Sequence, residues 1–225
     1  MTHRLWSCLA LAACLPVPAQ ASGIIRGVLQ ASVSADAPAA ADPYPGRAGS
    51  LPGNHGVPHG RPEDAVVWVE HVSPAADSAA ATLARNAAAP KLAQKNQSFV
   101  PRVLPIAAGT TVDFPNFDPI FHNVFSLSPI KRFDLGKYPR GQSRRITFGK
   151  TGLVNVFCDI HSNMAAFILV LPHHVFTQPD GAGRFALPPL PHGRYLLRVW
   201  HPDLPTLERE VDVPANGDVT VDLAY

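Results

Sequence analysis

Four residues of this chain carry side chains that soft metals prefer, at spacings that can bring them together. Cys158-Asp159-Ile160-His161-Ser162-Asn163-Met164 sets a thiol, an imidazole and a thioether in order, with two residues between each pair. His122 lies 36 residues before Cys158. A loop with two-residue gaps can fold each side chain back toward one point, and His122, on a separate strand, supplies a fourth group. Thiolate and thioether favour Cu(I), whereas imidazole suits Cu(II). Two His, one Cys and a weak axial Met make a trigonal site that serves both states. Zinc asks for four firm ligands, and methionine is a poor one. A catalytic Cys–His pair is recommended by no oxyanion-hole motif or acidic partner in the sequence. Taken singly, each residue has an ordinary reading: a buried thiol as a small hydrophobe, a surface histidine, a core methionine. The joint spacing points to copper.

Such a loop must be held by strands. From Gln97 onward the texture is β: Phe99–Ile106, Thr111–Phe114, Phe121–Leu127, Arg145–Phe148, Leu153–Cys158 and Ala165–Leu171 are rich in Val, Ile, Phe or Thr. Gly109, Pro115-Asn116, Gly141, Gly149 and Gly152 punctuate them. Alternation puts Val154, Val156 and Cys158 on one face, and His122 with Val124 on another. Asn123, next to the first histidine, is positioned to hold the ligand loop by hydrogen bonds. Later strands are expected at Arg184–Leu187, Arg194–Trp200, Leu207–Val213 and Val219–Leu223, with turns at Asp180-Gly181, His192-Gly193 and Asn216-Gly217. Earlier ones are expected at Gly23–Gln30 and Ala65–Val69. Ser73-Pro74 opens a candidate helix whose Ala-rich run reaches Ala89 and stops at Pro90.

The chain has 225 residues and three cysteines, too few and too odd for a disulfide scaffold. Residues 1–21 combine a basic start, an apolar run from Leu5 to Leu15 and an Ala19-Gln20-Ala21 end, the pattern of a cleaved export signal. The minor alternative is lipid attachment at Cys14 in Leu11-Ala12-Ala13-Cys14. Cleavage leaves Cys158 alone, in an exported and therefore oxidising setting. It is then buried and inert, joined to another chain, or bound to metal. No later stretch has the roughly 18 apolar residues of a transmembrane helix. Residues 36–62 hold six prolines and five glycines, which is linker composition. His55 and His59 within them read as solvent-exposed. His173, His174, His192 and His201 read as residues flanking a domain boundary, with a second metal site as the alternative. A net charge of +2 does not suggest nucleic acid. Charge is nonetheless uneven: residues 131–150 carry seven bases and one acid, and residues 203–222 six acids and one base. The first run is either a solvated face or a docking surface for an acidic partner.

The segments Phe99-Val100-Pro101, Gly109-Thr110-Thr111-Val112-Asp113-Phe114-Pro115-Asn116, His122-Asn123-Val124-Phe125-Ser126 and the Cys158 loop resemble the cupredoxins, the blue type 1 copper proteins of the amicyanin and plastocyanin group. The Cys-x2-His-x2-Met spacing is most similar to amicyanin. The whole chain resembles exported methylamine-utilisation-type cupredoxin proteins. Its tail, Asp180-Gly181-Ala182-Gly183-Arg184-Phe185 through Pro191-His192-Gly193-Arg194-Tyr195, resembles a carboxypeptidase-regulatory or transthyretin-like β segment.

The resemblance implies an all-β protein: a Greek-key cupredoxin sandwich with an accessory β-sandwich. It implies a signal at 1–21, N-terminal strands with linker and Ala-rich segment at 22–97, and a cupredoxin domain at 98–172. The C-terminal β segment at 173–225 would pair with the 22–72 strands; alternatively those strands complete the copper sandwich. One type 1 copper ion would be held by His122, Cys158 and His161 in the plane and Met164 on the axis. The Phe121 carbonyl would lie near it, and Asn123 would support the ligands. The implied function is outer-sphere electron transfer with a redox protein partner, in the periplasm or otherwise outside the cytoplasm, and not enzymatic turnover. A copper chaperone or store, or a non-redox β-sandwich adaptor, are the alternatives.

Overall fold

The computed structural model describes residues 22–31, 60–85, 87–215 and 217–225. The proposed signal, Cys14, His55 and His59 lie outside those residues. Among the described residues, eleven strands have four residues or more: β1 (Ile25–Gln30), β2 (Val66–Val69), β3 (Val103–Ala107), β4 (Thr110–Pro115), β5 (His122–Ser128), β6 (Lys131–Tyr138), β7 (Ser143–Phe148), β8 (Gly152–Phe157), β9 (Ala165–Leu171), β10 (Gly193–Trp200) and β11 (Leu207–Val213). One helix, α1 (Pro74–Arg85), and a short 3-10 turn at Pro62–Asp64 complete the longer elements. The protein is all-β in class.

The middle of the chain builds a sandwich. Its larger sheet has the order β3-β9-β8-β5-β6, with β3 parallel to β9 and the other pairs antiparallel. The antiparallel pair β4–β7 faces it. Side chains at every second position turn inward: Val112 and Phe114 from β4, Phe148 from β7, Val124 from β5, Val154 and Val156 from β8, Ile168 and Val170 from β9. Cys158 and Met164 belong to the same buried cluster.

The two ends of the chain build a second sandwich. One sheet joins Phe176–Thr177, β2, β10 and β11 in that order. The other centres on β1, paired with Arg184–Ala186 and with Val219–Thr220 and Leu223–Ala224. Ile25, Leu29, Phe185 and Leu223 meet Val67, Val69, Leu197, Val199 and Val211 between them. Gly27 has a structural reason: a Cβ there would lie 1.9 Å from the Val221 carbonyl oxygen. Helix α1 starts at Pro74, where the Ala76 N–H reaches Ser73 Oγ at 3.3 Å, and buries Ala76 and Ala80.

The two sandwiches stack through a third apolar cluster. Val103, Leu153, Phe167, Leu169 and Leu171 meet Val66, Trp68, Phe176 and Trp200. Phe167 and Trp200 contact edge to face, with ring centroids 5.9 Å apart.

Four sequence expectations change in detail. The stretch 99–106 is two strands: Ser98–Val100 pairs with Ala93–Lys95, whereas β3 joins the large sheet, and Pro101-Arg102 separates them. Residues 131–138, legible in sequence as a charge run, form β6, an edge strand whose Phe133 and Leu135 pack on the core between exposed Arg132, Asp134 and Lys137. The helix ends at Arg85, short of Ala89. Residues 90–97 pack with the β3–β9 sandwich although they precede 98: Leu92 is fully buried in its core, and the Leu92 N–H donates to the Asp113 carbonyl at 2.9 Å.

Candidate metal centre

His122 is the first residue of β5 and pairs across the sheet with Tyr138. Cys158 follows the last residue of β8. The loop after it closes on itself: the Met164 N–H donates to the His161 carbonyl at 3.0 Å, and the Cys158 N–H donates to the Met164 carbonyl at 3.3 Å. The two backbone bonds hold His161 against the mouth of the sandwich.

Three donor atoms converge. His122 Nδ1 and His161 Nδ1 are 3.1 Å apart, and Cys158 Sγ lies 4.0 and 3.9 Å from them. A point equidistant from atoms so spaced is about 2.2 Å from each, within the roughly 2.0–2.3 Å of metal–nitrogen and metal–sulfur bonds. The donor set, two imidazoles and a thiol, fits copper. Among the described residues this is the one group of three or more His, Cys, Asp or Glu ligand atoms gathered within 4.8 Å. Cys158 is 1% exposed, and His122 and Met164 are fully buried; only His161 is partly open.

His122 is held from behind. Its Nε2–H donates to Asp118 Oδ2 at 2.8 Å. That bond fixes the tautomer, so Nδ1 presents a lone pair to the other two donors. Asp118 also accepts the N–H groups of Asn96 at 2.6 Å and Gln97 at 2.8 Å. Burial opposes its charge, but the Gln97 N–H, the His122 ring and the Asn96 N–H outweigh that and hold the carboxyl below the ordinary carboxylate range. Asn116 locks the intervening loop: its Nδ2 donates to the carbonyls of Ile120 and Tyr138 at 2.9 and 3.0 Å, and its Oδ1 accepts the Asp118 N–H.

Asp118 and Asn116 escaped the sequence reading, which treated 115–116 as a turn. An acid four residues before a ligand histidine is a signal of contact only inside a helix, and this segment is loop. Asn123 behaves differently from the expectation. Its Nδ2 donates to Asp134 Oδ1 on β6 at 2.7 Å, not to the ligand loop, and its buried Oδ1 has no hydrogen-bond partner. Phe121 is exposed.

Among the described residues the other histidines form no second group of metal donors: His192 is exposed, and His173, His174 and His201 bond within the fold. His173 Nε2 donates to the Val69 carbonyl at 2.8 Å, and His201 Nε2 to the Arg61 carbonyl at 3.1 Å. His174 Nδ1 meets Asp77 Oδ1 at 2.9 Å. Asp180 makes a turn, accepting the N–H groups of Ala182 and Arg184.

No family model and no curated protein matches the chain. Solved structures similar to part of it include copper proteins. A purple cupredoxin from Nitrosopumilus maritimus is 21% identical over 36% of this chain and 99% of its own, with a TM-score of 0.34. A Cu(I) amicyanin mutant is 20% identical over 47% of this chain and 98% of its own, with a TM-score of 0.35. A copper-containing nitrite reductase from Thermus scotoductus SA-01 is 30% identical over 37% of this chain, with a TM-score of 0.36. The chain spans about a fifth of that reductase, 22% of its length. Likenesses at this level establish no family membership, and the chemistry rests on the donor set.

Proposed function

We propose that the chain is an exported electron carrier whose His122, Cys158 and His161, with Met164 as a fourth and weaker ligand, would hold one type 1 copper ion. Bound copper would supply a one-electron couple between Cu(I) and Cu(II), the electron passing to or from a protein partner. Burial is the observation that carries this reading. His122, Cys158 and Met164 are closed to solvent and His161 alone is partly open. Exchange of a hydrated ion needs a path to the ligands, whereas an electron needs only a short distance. A closed site with one histidine at the surface therefore favours a carrier over a chaperone or store. An adaptor without redox chemistry has no use for two imidazoles and a thiol converging on one point.

In this reading His161 is the electron port. The loops bearing the ligands also expose Phe117, Ile120, Phe121 and Ile160, apolar side chains that a partner can desolvate. Beside them, Lys137 Nζ lies 3.5 Å from Asp159, between two of the ligands, and Arg140 and Arg144, near the same end of the sandwich, are exposed and basic. That face suits an acidic redox protein, since opposite charge speeds encounter. Residues 1–21 act as the export signal to the periplasm. Residues 98–172 with the 90–97 segment form the copper domain, and 173–225 with the 22–72 strands form the accessory sandwich.

The test is optical. Copper-loaded protein is expected to show an intense visible thiolate-to-Cu(II) absorption that Cys158→Ser abolishes. A colourless loaded protein, or colour that survives in Cys158→Ser, overturns the assignment. Copper passing readily to a chelator while electron exchange with small oxidants stays slow would return the store to first place.

A further inference from the structure

The Asp118 carboxylate is the most elaborately held charge near the centre. It is 5% exposed, and three donors converge on its two oxygens: the Asn96 N–H, the Gln97 N–H and His122 Nε2–H. Asn96 and Gln97 form the two-residue loop of a hairpin between Ala93–Lys95 and Ser98–Val100. Both have left-handed backbone, φ +56° and +55°. That is the primed turn matched to strand twist, and asparagine or glycine is its usual occupant. Gln97 is neither, so the turn carries strain, and its two N–H groups meet on one acceptor. Strain so directed marks a place where geometry has been set for a purpose.

Resting on the copper reading above, we propose that Asp118 is a positioning residue of the centre, which fixes His122 with Nδ1 toward the metal and biases the site toward Cu(II). Two physical effects act together. Accepting from Nε2 requires the proton on that nitrogen, leaving the Nδ1 lone pair free for a ligand bond. The carboxylate also adds electron density to the ring and makes it a stronger donor. Beyond the bond lies simple charge. Cu(II) carries one more positive charge than Cu(I), and a buried carboxylate on the far side of one imidazole attracts the higher charge more strongly. The N–H donors temper that attraction, so the hairpin sets its size. The hairpin acts on the metal only through Asp118 and His122.

Asp118→Asn keeps the shape and removes the charge, although its new NH2 faces one of the backbone N–H groups. Asp118→Ala removes charge and acceptor without that conflict. In either copper-loaded variant the ratio of Cu(II) to Cu(I) affinity is expected to fall about tenfold, which is a rise of about 59 mV for a one-electron couple. The second readout needs no copper. Nitrogen-15 NMR of the metal-free wild-type protein is expected to show His122 as the Nε2–H tautomer with a slowly exchanging proton, and Asp118→Ala to show mixed tautomers. A variant that binds copper with its affinity ratio within twofold of wild type overturns the proposal. So does a wild-type His122 protonated on Nδ1, whether or not the variants fold. A wild-type protein that takes up copper without the thiolate band overturns the electron-carrier reading instead, and the tautomer still decides the role of Asp118.

Discussion

Arg102 and Asp203, 101 residues apart in sequence, meet face to face: Nη1 lies 2.7 Å from Oδ2 and Nη2 lies 2.8 Å from Oδ1. The same Nη1 reaches Asp64 Oδ2 at 3.0 Å. Arg102 precedes β3 of the sandwich that carries the candidate centre, whereas Asp64 and Asp203 adjoin the strands of the other. One guanidinium therefore pins the two sandwiches beside their shared apolar cluster, and its planar fork suits a two-point carboxylate contact. Arg102→Ala removes the cation that Asp64 and Asp203 share, and should cost about 3–5 kcal/mol. Asp203→Asn should cost less, because Arg102 keeps Asp64. Urea denaturation of the metal-free protein measures both; a loss below about 1 kcal/mol for Arg102→Ala would show the contact to be ornamental.

His173 and His201 impose a pH dependence. Each donates from Nε2 to a carbonyl and accepts an N–H on Nδ1, from Val175 and Asp203 respectively. Burial pushes both below their ordinary value of 6.5, against the carbonyls and carboxylates nearby. Below that value the unfolded chain binds protons that the folded chain refuses. Stability is therefore retained above it and falls as pH drops from 6.5 toward the folded values, by about 1.4 kcal/mol per pH unit for each group at full slope. Unfolding curves between neutral and mildly acid pH should be flatter for the double variant His173→Gln, His201→Gln. Equal slopes in the two proteins would refute the assignment.

The left-handed Gln97 gives a prediction with an unusual sign. Gln97→Gly keeps the N–H that Asp118 accepts and removes the side-chain conflict at φ +55°. The relief of about 1–3 kcal/mol exceeds the roughly 0.4–1 kcal/mol of added chain freedom in the unfolded state. The variant should melt higher than wild type in the metal-free form. A lower melting temperature would mean that the glutamine side chain supplies something the turn needs.

The basic face should select small oxidants by charge. Reduced, copper-loaded protein should react faster with anionic hexacyanoferrate(III) as salt is lowered, and slower with a cationic cobalt(III) phenanthroline complex. Reversing Arg140 and Arg144 to glutamate should shift the anion's low-salt rate down about tenfold. Stopped-flow rates at two salt concentrations decide it, and rates indifferent to salt would leave no role for this face in docking.

Much of the architecture could be read from the chain because its signals are local. Alternating Val154, Val156 and Cys158 announce a strand and its inward face, and Ser73-Pro74 announces a helix start. The Cys158–Met164 spacing is legible for the same reason: three candidate ligands sit on one short loop. Other features depend on contacts that spacing does not encode. Lys131–Tyr138 looked like a charge run because an edge strand in water tolerates Arg132 and Lys137 between Phe133 and Leu135. Asp118 reaches His122 only because Asn116 folds the loop between them, and the Asn96-Gln97 turn matters only because a distant acid sits against it. Neither relationship has a period.

The pairing of β1 has a consequence for the order of assembly. Ile25 is in register with Val219, and Leu29 with Leu223. The pairings of the β3–β9 sandwich, by contrast, all fall between Lys91 and Leu171. A chain emerging from its amino end can close that sandwich and bring His122, Cys158 and His161 together while β1 still lacks its partners at 219–224. Closing so long a loop comes late. Residues 219–224 therefore complete the sheet of β1, and the β3–β9 sandwich draws no strand from them.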